Sequence, residues 1–339
     1  MSLELPILRI GLAGFSQQQQ QDLSLLLERA SPGGMGWQFA RLGEADALWI
    51  QGSRTQVLAD GTLRIGSGVP GERSVHINLP DVDRPVAFAV PLPGRLQAPL
   101  SFDPREPATL RTLLGRLESW LRPAIAQFCL ASQILEQESA LGSGVYHVSS
   151  ASGLLVAVVD LRGDAGVLPS ATALELENAM WTPQPGATGV PDHFSRASLS
   201  RLMWQYALRT RRDVLPHRYR TEPIYFRRPP RLPQRMLSDA HLLLLRELAL
   251  SPARFAELQA RTGLDEARLA QALAALYLVG AITSNPKRAS QGVLRRSEGA
   301  ESLQSGGSIA PSGLGAESTG PQAPRLPVDM TVPTPLLRD

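Results

Sequence analysis

Residues 7–30 read ILRIGLAGFSQQQQQDLSLLLERA. The near-continuous apolar run from Ile7 to Ala13, closed by Gly14, predicts a buried strand. The next stretch opens with five Gln and carries Leu23, Leu25, Leu26 and Leu27, which predicts an amphipathic helix over 16–30. Ser16 is its expected cap, and Pro32-Gly33-Gly34 its stop. Working outward, 36–42 (GWQFARL) and 46–51 (DALWIQ) read as two more strands, 62–65 and 74–79 as short ones, and 84–91 (RPVAFAVP) as a buried one. A helix is expected over 107–121, with Leu110, Leu113, Leu114, Leu117, Trp120 and Leu121 on one side. Strands alternating with helices predict a mostly parallel α/β domain over residues 1–122.

Beyond it, 123–141 reads as a second helix. VYHVSS, GLLVAVVDL and AGVLP read as three strands, 171–180 as a short helix and 182–193 as a Pro/Gly linker. Residues 123–194 are therefore expected to form a small α+β middle region. Residues 195–237 read as an Arg/Pro-rich connector holding one helix, from Ser198 to Arg209. Pro216, Pro223, Pro229, Pro230 and Pro233 forbid a longer one. Over 238–288, helices at 239–250, from Ser251-Pro252 to Gly263, and at 265–279 precede a strand (AITS). Three short helices and a strand predict a C-terminal all-α, winged-helix-like domain. From 289 onward the chain is rich in Ser, Gly and Pro, and a disordered tail over 289–339 is expected.

Composition supports real cores: 43% of the 339 residues are hydrophobic. The single cysteine excludes a disulfide framework or cysteine-rich zinc site. No apolar run is long enough to span a bilayer and the first residues lack signal-peptide character, so the expected compartment is the cytoplasm. The net charge of +3 hides an asymmetry. Residues 201–236 hold ten Arg against Asp213 and Glu222. So localised an excess predicts an acidic partner.

No acid/base pair, nucleophile pair or metal-ligand cluster stands out in the sequence. Gly66-Ser67-Gly68-Val69-Pro70-Gly71 fits G-x-G-x-x-G, but no helix start follows to hold a pyrophosphate, so a plain loop is expected. His76, His147, His193, His217 and His241 are scattered without metal-ligand spacing. Cys129 lies among Ala126, Phe128 and Leu130 and reads as core, and Asp160 reads as a turn cap. The expectation is no catalytic residue, no metal and no cofactor. Phosphate chemistry points instead to Arg220, Arg227, Arg228, Arg231 and Arg235 with Tyr225, because guanidinium forks suit phosphates and aromatics stack bases. Arg227, Arg231 and Arg235 repeat an R-x-x-x-R spacing similar to the arginine motif of PilZ-type cyclic-di-GMP receptors, without the companion D/N-x-S-x-x-G. The third C-terminal helix offers Arg268 and Gln271 for contact with DNA or a partner, and the wing offers Lys287 and Arg288.

Two resemblances arise from these stretches. The strand–turn–helix at 7–30, then ADALWIQG, VAFAVP and PLSFDPREPATLRTLLGRL, resembles a degraded response-regulator receiver domain. The resemblance implies an acidic pair at Gly14-Phe15-Ser16, a phosphoacceptor near Gln51-Gly52 and a lysine near Leu100 or Ser101. None of those types is present, which makes it a pseudo-receiver. With the block MWQYALRTRRDVLPHRYRTEPIYFRRPPRLPQR, the whole resembles uncharacterised bacterial signalling proteins that join a receiver-like N-terminus to a degenerate winged helix. The expected role is a non-enzymatic signalling adaptor whose partner is another signalling protein. A DNA-binding transcriptional regulator and a cyclic-dinucleotide receptor are the alternatives.

Overall fold

The structure, a computed structural model, describes residues 4–30, 35–92, 94, 98–186 and 189–290. The tail expected over 289–339 lies, from 291 on, outside the described residues.

The first layer system runs β1 (Ile7–Ala13), α1 (Gln17–Ala30), β2 (Gly36–Ala40), β3 (Ala47–Gln51), β4 (Thr55–Val57), β5 (Leu63–Ile65), β6 (Val75–Ile77), β7 (Val86–Ala89), β8 (Ser101–Phe102) and α2 (Pro107–Glu136). The central sheet has the order β2-β1-β3-β7-β8, every pair parallel. Counted along the parallel strands this is 2-1-3-4-5, a common doubly wound order. The expected α/β architecture is therefore present.

Both faces of the sheet are buried, which is why its strands are apolar without alternation. Ala47 and Trp49 face α1 and α2, meeting Leu23, Leu27, Leu110, Leu114 and Leu117. Leu48 and Ile50 face the other way, with Val86 and Phe88. That second face is covered by the antiparallel sheet β4-β5-β6 through Leu63, Ile65 and Ile77, where a doubly wound fold would place helices.

Helix α2 differs from expectation. Two helices separated at Pro123 were predicted, and one 30-residue helix runs through it. Its apolar stripe stays in phase, Leu110, Leu114, Leu117 and Leu121 continuing to Phe128 one heptad later. Pro123 deprives only the Ser119 carbonyl of its partner, and Ser119 lies on the exposed side. The N-terminal half packs in the first core and the C-terminal half in the next, through Ala126, Phe128, Leu130 and Ile134.

That next core sits on an antiparallel sheet of β9 (Val145–Ser149), β10 (Leu155–Asp160), β11 (Asp164–Val167), β12 (Met180–Gln184) and β13 (Ser195–Ser198), with the short helix α3 (Ala173–Glu177) between β11 and β12. Its order is β12-β9-β10-β11-β13. Part of the expected linker is thus strand β12. It contains Pro183, and it is an edge strand, the position where a missing donor is tolerated. Asp160 caps a turn as expected, its carboxylate accepting from Arg162 N at 2.9 Å.

Helix α4 (Leu199–Arg209) follows β13 directly, its Ser198 cap accepting from Arg201 N. The remaining elements are α5 (Arg218–Thr221), β14 (Tyr225–Phe226), α6 (Asp239–Leu250), α7 (Phe255–Thr262), α8 (Glu266–Leu278) and β15 (Ile282–Thr283). Helix α7 starts at Phe255 rather than at Pro252, because Ala253 exchanges backbone hydrogen bonds with Ile224. The C-terminal module is not all-α: β14, from ahead of its helices, pairs antiparallel with β15. Trp204 and Ala207 of α4 enter the same core as Leu244, Leu258, Leu269 and Leu273. The segment 195–237 thus supplies a strand to the middle sheet and helix α4 to the cores on both sides of it.

Candidate functional site

Doubly wound sheets bind ligands beyond the carboxyl ends of their strands. Here that rim is occupied by the protein itself. Gly68 lies on the β1–α1 turn so closely that a Cβ there would stand 2.1 Å from the Phe15 carbonyl. Arg54 Nη1 holds the loop, donating to Ser67 O at 2.5 Å. The G-x-G-x-x-G stretch is therefore a plain loop whose middle glycine permits close packing. Beneath it, at the end of β3, Gln51 is buried and its Oε1 has no partner.

Two carboxylates meet around the end of α4. Glu4 accepts from Ser132 Oγ and Tyr206 OH, both at 3.0 Å, from Thr210 Oγ1, and from Arg212 Nη1 at 3.3 Å. Arg212 also reaches Glu136 at 2.8 Å. Asp46 pairs with Arg209 and accepts from the backbone N of Arg9 at 2.9 Å. The Arg9 side chain donates to Leu208 O at the end of α4. Burial, reinforced by the neighbouring Arg209 charge, lowers the Arg9 pKa. Burial pushes the Tyr206 phenol up to about 12, with the Glu4 charge acting in the same direction. It also pushes the Cys129 thiol up to about 12, which leaves that thiol inert, as a core residue is expected to be. Sequence reasoning missed Glu4 and Asp46, since the side chains that hold them are remote in the chain: Ser132 is 128 residues from Glu4, and Arg209 is 163 from Asp46.

His241 is likewise interior. Its Nδ1 accepts from Ser238 N at 3.2 Å and sits 2.7 Å from Ser238 Oγ, and its ring lies 4.5 Å from that of Trp204. Burial lowers its pKa to about 4. A histidine that titrates near 6.5 when unfolded then binds its proton more readily in the unfolded chain. Its contribution to stability is complete above about pH 6.5 and is lost as pH falls toward 4, by at most about 3 kcal/mol. Denaturant unfolding across that window should show stability falling with acid, and His241→Gln should flatten the slope by up to one proton.

The arginines expected to meet phosphate divide into two groups. Arg220 is internally committed: it pairs with Asp213 at 2.7 Å and Glu266 at 3.1 Å, and stands over the Phe255 ring. Arg227, Arg228, Arg231 and Arg235 are exposed and have no acidic partner among the described residues. Lys287 and Arg288 are exposed beside them. Arg227 N and Arg228 N donate to Ala281 O, and Ser290 N donates to Phe226 O at 2.9 Å, which closes the loop bearing Lys287 and Arg288 against β14. Residues 223–238 and 281–290 hold these six cations and no acid.

Of the residues expected on the third helix, Gln271 is half-buried and Arg268 is exposed. Gln271 donates its amide to Leu208 O at 3.2 Å and is spent on α4. Arg268 is exposed but lies 4.0 Å from Asp265. Ala270, Ala272, Leu273, Ala274 and Ala275 are buried, several of them against α4 and α6, so α8 presents little beyond its first turn.

Among the described residues no group of three or more His, Cys, Asp or Glu is placed to hold a metal, and no helix is long and apolar enough to cross a membrane. No family model, curated protein or solved structure matches the chain.

Proposed function

We propose that the protein is a non-catalytic regulatory adaptor. In this reading a receiver-like domain without a phosphoacceptor and a winged-helix-like module form one platform that works by surface contact, with the basic face of residues 223–238 and 281–290 as its contact surface. The observation that carries it is the sorting of the arginines. Arg209, Arg212 and Arg220 are neutralised internally, whereas Arg227, Arg228, Arg231, Arg235, Lys287 and Arg288 are exposed, form no ion pair among the described residues and lie in two stretches that hold no acid. Six like charges crowded together repel one another, and an acidic partner relieves that cost. The close packing of the Gly68 loop on the β1–α1 turn supports the non-catalytic part of the reading, because that turn lies where such sheets commonly take ligands. Duplex reading by α8 has less support, since the Gln271 amide is spent on Leu208 O and the alanine face is packed inside.

Affinity isolation with the immobilised full chain, scored for both protein and nucleic acid, tests the proposal. A macromolecule retained at low salt, released at high salt and lost when Arg227, Arg228, Arg231 and Arg235 become Ala is the expected result. Retention of nothing, or of the same material by both chains, overturns it.

A further inference from the structure

We infer that the acidic partner of this face is a single-stranded nucleic acid. The inference rests on the reading of the basic face as a contact surface and narrows it. Three features of β14 and its surroundings carry it.

The first is an outward aromatic. Tyr225 and Phe226 are successive residues of one strand, so their side chains take opposite faces. Phe226 packs against the C-terminal core. Tyr225 is half-buried and has neither a ring partner nor a side-chain hydrogen bond among the described residues. A phenol ring left in this state offers a flat face on which a base can stack.

The second is convergence of charge beside that ring. Arg227 and Arg228 follow β14 directly, both donating their backbone N–H to Ala281 O. Gly280 sits with a positive φ of 67° where α8 ends, and the space a side chain would fill is approached by both guanidiniums. A Cβ there would meet Arg228 Nη2 at 3.2 Å and Arg227 Nη1 at 3.5 Å. The two cations therefore lie within one phosphate's reach of each other. Arg228 spends only its Nε, on Gly280 O at 3.3 Å, and the carbonyl end of α8 steadies both charges. The remaining forked donors point to a phosphate oxyanion.

The third is extent. Arg231 and Arg235 continue the charge beyond Pro229-Pro230, and Lys287 and Arg288 continue it on the other side of β14. Cations flanking a short strand pair suit successive phosphates, and the aromatic on that pair suits an unpaired base. A duplex hides its base faces. An acidic protein offers carboxylates to the arginines and nothing specific to Tyr225.

The test is fluorescence anisotropy with the full chain and three labelled probes: an oligothymidylate long enough for about 16 nucleotides, a duplex of the same length, and polyglutamate. The oligothymidylate should bind tightest, with affinity falling as salt rises. The double substitution Arg227→Ala, Arg228→Ala should weaken it about tenfold and reduce the salt slope by about 1.4, the share of two phosphates on a single strand. Tyr225→Leu should weaken the oligothymidylate about fivefold or more and leave polyglutamate unchanged, while Tyr225→Phe keeps the binding. All three positions are partly or fully exposed, and thermal unfolding checks that each variant folds. Polyglutamate binding as tightly as the oligothymidylate, or a duplex binding tighter, or indifference to Tyr225→Leu, overturns the inference and leaves the adaptor reading standing. Failure of every probe to bind at low salt overturns both.

Discussion

Glu4→Ala should destabilise the protein by about 3–5 kcal/mol, measured by urea unfolding with an unchanged m value. The carboxylate is only 12% exposed and accepts from four side chains on two elements: Ser132 of α2, Tyr206 of α4, and Thr210 and Arg212 just beyond α4. Removing it leaves the Tyr206 and Thr210 hydroxyls without their acceptor and Arg212 with Glu136 alone. The penalty is thus mostly that of stranded donors, not the worth of one bond. Glu4→Gln keeps an acceptor oxygen and loses the charge, so its cost should fall between zero and that of Ala. If Glu4→Ala unfolds with the wild-type midpoint, the residue does not tie the N-terminus to the α2–α4 junction.

Asp46→Ala should cost about 3 kcal/mol or more by the same measurement. Asp46 is the ion-paired counter-charge to Arg209 in a cluster that also holds Arg9, both side chains largely buried, with the Glu44 charge acting on Arg9 in the same direction. Without it two guanidiniums face each other at the end of α4, each already with an unpartnered buried Nε. Asp46→Asn preserves acceptance from Arg9 N and should cost less. Arg209→Ala removes one of the two cations and should cost less than Asp46→Ala. The double variant should then recover part of the loss, the signature of coupling between neighbours. Strict additivity would show that the pair contributes nothing.

Both predictions concern α4, and α4 marks the limit of what the sequence discloses. The helix itself is legible, since Leu202, Met203, Tyr206 and Ala207 recur at helical spacing after a Ser cap. Its neighbours are not. The stretch around it reads as a connector because Arg and Pro dominate it, yet Trp204 and Ala207 enter the C-terminal core and Tyr206 the middle one. The basic excess was legible as a sum, but which arginines remain free was not. That depends on Glu4, Asp46 and Glu136, each more than seventy residues distant from its partner.

The sequence alone determined the apolar strands and first helix of the N-terminal region, its parallel α/β class, the helical pattern near the C-terminus and the buried place of Cys129. These follow from local periodicity, caps and the chemical types present, which need no distant partner to be read. Only the tertiary structure decided that α2 passes through Pro123, that β12 and β13 complete the middle sheet, that β4, β5 and β6 cover one sheet face, and that the Gln271 amide is spent on the end of α4. Each of those depends on contacts between residues far apart in the chain, where burial and pairing override the preferences of short segments.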